Sequence, residues 1–243
     1  MKNKNKIKSN FTLIEIAVVL VVLVALAGLV VPKALGYAQR SHGATGAGNM
    51  AQLEAQINRF EIEKFSMPDN WDNLIDPTSS GADAYSTAFG VATLPTDQAD
   101  ALNSAGITIV HELFDKDGVE AGAQLSTFQA SDVDSDSAVD SSLVVATVPA
   151  ADVRVALGNA NSATDTYVAF GIGEALTAVG VTMTAVPYDF PEGAERPEDS
   201  YRRFIAIFNV SGEKAKLAGV VANEDGVLLN IQDHIAEYYE ATE

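Results

Sequence analysis

The strongest pattern in the chain is a run of apolar residues from Phe11 to Val31, in which the only charged residue is Glu15. A helix rises about 1.5 Å per residue, so a helix over this run would match one hydrocarbon core of about 30 Å. Four lysines precede the run, and by the positive-inside rule they would lie in the cytoplasm (Lys2, Lys4, Lys6 and Lys8). The pattern predicts a transmembrane helix over residues 11–32, with the rest of the chain outside the cytoplasm.

Helical periodicity continues beyond this run to about residue 64. Apolar residues recur at spacings of three and four and form one seam, which comprises Met50, Leu53, Ile57 and Phe60. Between the run and the seam, residues 43–48 are rich in glycine, and each glycine costs a helix about 0.8–1 kcal/mol relative to alanine. We therefore expect a hinge or break there. Pro68 predicts the end of the helix, because proline lacks a donor and restrains the residue before it.

The remainder of the chain alternates short β-prone segments with turn residues. The predicted strands cover residues 107–113, 143–148, 167–172, 181–186, 204–210, 217–221 and 227–231. Asp225-Gly226 predicts a tight hairpin turn, and short helices are expected over residues 96–105, with a Thr cap, and 232–241. The predicted class is α+β: a long N-terminal transmembrane helix followed by a head domain dominated by antiparallel β-sheet.

Composition narrows the possible functions. The chain has no cysteine, which excludes disulfides, zinc–thiolate sites and cysteine nucleophiles. Its net charge is -18, and removal of the first ten residues with their four lysines would make it -22. Such an acidic protein repels nucleic acid and has no basic patch that could release counterions, so we predict no nucleic-acid partner.

Motifs for enzymatic chemistry are missing. The sequence contains no Gly-x-Ser-x-Gly elbow, Walker loop or His-Glu-x-x-His, and its three histidines are widely scattered. Gly171-Ile172-Gly173 begins a dinucleotide fingerprint, but Leu176 stands where the third glycine belongs. We therefore predict that the protein is not an enzyme.

One acidic segment has the spacing of a metal loop. Its carboxylates occupy positions 1, 3, 5 and 9 of an EF-hand loop (Asp132, Asp134, Asp136 and Asp140). Ser137 replaces the glycine of that loop, and Leu143 stands where a bidentate glutamate belongs. Two interpretations stay open, a solvated acidic loop and a calcium site. No cofactor is certain, and calcium is the one candidate.

The basic leader, the five residues from Phe11 to Glu15 and the long apolar run together resemble the N-termini of type IV prepilins and type II secretion pseudopilins. The resemblance covers roughly residues 6–36. It implies a leader peptide over residues 1–10, cleavage between Asn10 and Phe11, and N-methylation of Phe11. The family normally has glycine before the cleavage site, and this chain has Asn10. The resemblance further implies an N-terminal helix over residues 11–64 and an extracytoplasmic head over residues 65–243.

The resemblance also implies a function, that of a structural subunit inserted in the membrane and then packed into a filament. Glu15 would pair with the Phe11 N-terminus of a neighbour and set the register, and Pro32 would let the helix bend during assembly. The implied partners are identical or related pilin subunits, a prepilin peptidase, and an inner-membrane platform with its ATPase. The implied location is the inner membrane, as a single-pass protein, and after assembly a periplasmic or surface filament. Pseudopilin and pilus subunit both remain open. The alternative is a single-pass, membrane-anchored surface protein whose acidic head binds a ligand or calcium without forming filaments.

Overall fold

A computed structural model describes residues 13–75, 88–113, 136–158, 161–187, 201, 203–224, 226–233 and 236. The elements, in chain order, are α1 (Leu13–Lys64), β1 (Trp71–Asn73), β2 (Gly90–Thr93), α2 (Thr96–Ala105), β3 (Ile109–Glu112), β4 (Asp136–Ala138), β5 (Val144–Val148), α3 (Ala150–Leu157), β6 (Tyr167–Gly171), β7 (Ile205–Asn209), β8 (Lys216–Glu224) and β9 (Val227–Leu229).

The nine strands found in the described residues form one sheet with a branch at β6. The main order is β4-β3-β1-β6-β7-β8-β9. One edge of β6 pairs with β7, whereas its other edge is shared, because Tyr167–Ala169 pair with β5 and Phe170–Gly171 pair with β1. Strand β2 extends the branch by pairing with β5. This sharing leaves β1 and β5 end to end along the same neighbour.

Each face of the sheet carries its own apolar cluster, because alternate residues of a strand point to opposite faces. On one face, Phe170 and Phe208 pack with Trp71 and with the apolar seam of α1. This confirms the seam predicted from the sequence, which comprises Met50, Leu53, Ile57 and Phe60. On the other face, Tyr167 and Ile207 pack with the buried side of α3. The head therefore has three layers, with α1 and α3 on opposite sides of the sheet.

Helix α1 is continuous from Leu13 to Lys64, so a break at residues 43–48 is wrong, whereas a hinge there stays a prediction. Gly43, Gly46 and Ala47 in that segment are buried. The fold thus maintains a helix through a segment whose glycines have low helix propensity. The helix ends at Lys64, before Pro68, as predicted.

Two parts of the predicted fold class are corrected. The sheet is mixed rather than antiparallel, because β1 runs parallel to β3. A parallel pair needs a crossover connection, and the chain between β1 and β3 contains α2.

The other correction to the predicted fold class concerns the membrane. Within the described residues, no helix is both long enough and apolar enough to cross a bilayer. Helix α1 is described from Leu13 onward and carries Glu15 in its first turn. The predicted transmembrane segment at 11–32 and the single-pass inner-membrane location are therefore contradicted.

Most strand predictions for the head are confirmed, with boundaries at most three residues off. The segment at 181–186 is an exception. Residues 181–187 form turns and one isolated bridge, between Val179 and Met183. Met183 and Val186 are buried nonetheless, so their apolar character reflects burial without strand pairing. Helix α2 has the predicted bounds, but its N-cap is Pro95 and no side chain caps it. The helix predicted at 232–241 lies largely outside the described residues.

Candidate functional site

The N-terminal part of α1 is apolar on all sides and exposed. Thirteen large apolar side chains between Leu13 and Val31 are 50–88 % exposed. Such a helix is normally buried, since a helix that stays in water shows a polar face. Glu15 is also exposed and lies in the first turn, where a negative charge is favoured by the helix dipole. This segment offers a large surface for association.

The C-terminal part of α1 is held on the head by polar contacts beside the apolar seam. Glu54 accepts a hydrogen bond at 3.2 Å from the backbone N–H of Val220, in β8. Lys214 donates to Glu61 at 3.1 Å. The helix thus consists of an exposed apolar segment and a docked segment, and the head fixes the direction of both.

The residues predicted for processing and assembly fall in different parts of the chain. Asn10 and Phe11 lie outside the described residues, so their predicted roles stay predictions. Pro32 lies inside the continuous backbone of α1. Glu15 is exposed in the first turn of the same helix. Its predicted pairing with the N-terminus of a neighbour involves a second subunit and stays a prediction.

The four candidate calcium ligands are only partly described. Asp132 and Asp134 lie outside the described residues. Asp136, in β4, lies 3.7 Å from Nδ1 of His111. Asp140 is exposed and accepts hydrogen bonds from the side chain and backbone of Ser142, which lower the pKa of its carboxyl group. Among the described residues, no group of three or more His, Asp or Glu side chains has the arrangement of a metal site.

A buried polar cluster that the sequence did not indicate lies near the branch of the sheet. Asp72, in β1, is 2 % exposed and accepts a 2.7 Å hydrogen bond from the hydroxyl of Tyr201. Arg203, also buried, donates to Glu174 at 3.0 Å. Burial raises the pKa of Asp72 to about 6, although the Tyr201 hydrogen bond and the charges of His111 and Arg203 oppose this rise. Asp72 is thus an acid that can titrate near neutral pH inside the head.

Two glycines make room for this cluster. A Cβ atom at Gly173 would overlap the carboxylate of Asp72, and one at Gly171 would overlap the hydroxyl of Tyr201. The two glycines of Gly171-Ile172-Gly173 therefore have a packing role. This role accounts for a Gly-x-Gly sequence that lacks the third glycine of a dinucleotide-binding motif. Because Asp72 is enclosed on all sides, the cluster suits a structural link better than contact with a substrate.

On the opposite face, Asn73 fills the gap between the two strands that share β6. Its side-chain amide donates to the carbonyl of Val144, at the start of β5, at 3.2 Å. The same amide donates to both carboxylate oxygens of Glu112, in β3, at 3.1 and 3.3 Å. Asn73 therefore ties together β1, β3 and β5 where the sheet branches.

Comparisons of the chain with protein-family models, with curated proteins and with solved structures give no match.

Proposed function

We propose that this chain is a structural subunit of a helical filament of the type IV pilus or type II secretion pseudopilus class. The observation that carries the proposal is the division of α1 into an exposed apolar segment, residues 13–31, and a segment docked on the head. Copies of this chain can bury the exposed segments against one another while the heads stay outside. The leader pattern before Phe11 supports the same conclusion.

The apolar segment is large enough to drive association. Complete burial of a Val, Leu or Ile side chain contributes about 1.5–3 kcal/mol, and these side chains are already about half covered by their own helix. Burial of thirteen of them would then contribute on the order of 10 kcal/mol or more. Association costs an estimated 4–15 kcal/mol in lost freedom of motion, so several contacts per subunit are needed. A helical filament supplies such repeated contacts.

In this proposal, Glu15 determines the axial register in which the apolar segments of neighbouring subunits pack. When the apolar segments pack together, its carboxylate leaves water and needs a positive partner. Cleavage before Phe11 would create one, the new N-terminal ammonium group of a neighbouring subunit. A buried ion pair adds little net stability, but a shifted register would leave a buried charge unpaired. The pair would therefore select one axial stagger.

The test is filament formation by full-length protein, kept in mild detergent and assembled by dilution of the detergent. Negative-stain electron microscopy and sedimentation measure the yield. Val22→Asp should abolish assembly, because it places a charge in the middle of the apolar segment. Gln52→Asp is the matched control, since Gln52 is exposed on the docked part of the same helix. Equal filament yields for the two variants would overturn the proposal.

A further inference from the structure

The end of α1 carries an exposed aromatic residue in a strained conformation. Phe65 is 89 % exposed and has a φ of 60°, the left-handed region that glycine normally occupies after a helix. Its N–H donates to the carbonyl of Glu61 at 2.7 Å, and Met67, two residues on, is buried and bonded to the carbonyl of Ala105. The fold thus fixes Phe65 in this position. Ile62, one turn earlier, is 74 % exposed. Packing against the described part of the subunit accounts for neither side chain.

A second exposed apolar residue lies on α3. Val155 is 83 % exposed, and Asp152, three residues before it, is exposed on the same side of the helix. On α1, Arg59 stands three residues before Ile62 and is also exposed. The two helices therefore carry the same arrangement, a charge one turn before an apolar residue, with charges of opposite sign.

These two surfaces suit each other in a parallel helix contact. With Ile62 placed against Val155, the equal spacing brings Arg59 to Asp152. Arg59 already bonds Glu63 at 2.7 Å through Nε, but a guanidinium group has further donors for a second carboxylate. Phe65, at the end of the helix, adds an aromatic side chain of the kind that dominates protein interfaces.

The surfaces lie on opposite sides of the sheet, because α1 and α3 pack on different faces. They are therefore placed for contact between molecules. A twofold dimer would pair each surface with itself, whereas pairing one with the other gives a head-to-tail contact that can repeat. We propose that the surface formed by Arg59, Ile62 and Phe65 binds the Asp152 and Val155 surface of a second copy of this chain. The inference rests on the proposed function and adds a contact between heads.

The absence of cysteine from the chain makes this contact directly testable. The full-length double variant Ile62→Cys with Val155→Cys is assembled and oxidised, then run on a non-reducing gel. We expect a ladder of covalent oligomers, because every subunit would be linked to the next. A mixture of the two single variants should stop at dimers. The pair Ile62→Cys with Ser141→Cys is the control, since Ser141 is exposed but lies outside both surfaces.

The outcomes separate this inference from the proposed function. Filaments without a ladder would overturn the contact and leave the filament function intact. A ladder without filaments would support the contact and overturn the filament function. Loss of both would overturn both proposals. The single variant Ile62→Cys serves as a further check. If it alone forms disulfide-linked dimers in the same yield as the cross-linked product of the double variant, the head-to-tail arrangement is refuted.

Two further variants test the chemistry of the contact. Arg59→Glu and Asp152→Lys should each lower the ladder yield several-fold, and combining them should restore it, because the charges are exchanged across the contact. Phe65→Gly should raise the melting temperature of the subunit, since glycine accepts the positive φ. The same variant should lower the ladder yield. A normal ladder from Phe65→Gly would show that the aromatic side chain has no part in the contact.

Discussion

The sharpest prediction concerns Asp72, whose substitution by asparagine should stabilise the protein at neutral pH. The carboxylate is buried, and burial raises its pKa from 3.8 to about 6. The folded state therefore holds a proton that the unfolded state releases between pH 4 and pH 6. Stability from this group is fully present below pH 3.8 and is lost as the pH rises through about 6.

The magnitude follows from the size of the pKa change. Each pKa unit corresponds to about 1.4 kcal/mol, so ionising Asp72 in the folded head costs about 3 kcal/mol above pH 7. Asparagine has a similar shape and keeps an oxygen that can accept the hydrogen bond from Tyr201. It cannot ionise, so Asp72→Asn should raise the free energy of unfolding by about 1–3 kcal/mol at pH 8 and by less at pH 4.5, where only part of the loss in the wild type has occurred.

The assay is urea denaturation of full-length wild type and variant, followed by tryptophan fluorescence from pH 4.5 to pH 8. Trp71, the only tryptophan, lies beside Asp72 in the core and reports unfolding of the head directly. Asp140→Asn is the control. Hydrogen bonds from Ser142 lower the pKa of Asp140, so its contribution has the opposite sign and is lost as the pH falls through that lowered pKa. A difference in stability between Asp72→Asn and wild type that does not grow between pH 4.5 and pH 8, or an Asp72→Asn variant that is less stable than wild type at pH 8, would refute the reasoning.

Three further predictions follow from packing, hydrogen bonding and processing. Gly173→Ala should destabilise the head by about 1–3 kcal/mol, because the new Cβ atom would overlap the Asp72 carboxylate. Gly48→Ala, in α1 and with open space around it, should stabilise the protein by about 1 kcal/mol. Thermal melts compare the two variants. Asp69→Ala should cost about 2–4 kcal/mol in urea denaturation, because its carboxylate accepts hydrogen bonds from the N–H groups of Thr108 and Ile109 and from the Thr108 hydroxyl. Intact mass measurement of the protein purified from cells should give a chain that starts at Phe11 with one methyl group; a chain that starts at Met1 would contradict cleavage.

The sequence predicted the elements whose signal is local. The seam of α1 repeats at helical spacing, and α2 ends at a glycine with a φ of 101°. Strand β7 is a run of β-branched and aromatic residues. In each case the residues that determine the element are its own or its immediate neighbours. The short strands β1 and β4 carry no comparable signal, since three residues cannot show a period.

The buried polar cluster could not be predicted because its members are far apart in the chain. Asp72 and Tyr201 are 129 residues apart, and neither is unusual in its local sequence. The pairing of β1 with β6 places Asp72 opposite Gly171, where the hydroxyl of Tyr201 also lies, and local sequence patterns do not determine strand order. The one local clue was Gly171-Ile172-Gly173, in which the glycines admit neighbouring side chains rather than a phosphate.

The error about residues 43–48 shows how tertiary structure overrides propensity. Three glycines in six residues weaken an isolated helix by about 2–3 kcal/mol, which is enough to predict a break. In the fold, the buried members of this segment, Gly43, Gly46 and Ala47, continue the buried side of α1 that leads into Met50. The helix on either side is fixed by its own residues, and the seam beyond holds it on the sheet. A continuous helix also matters for the proposed filament, because it would transmit to the heads the register that we propose for Glu15. A substitution that breaks α1 within 43–48 should therefore leave the head folded while it uncouples the packing of the apolar segments from the contact between heads.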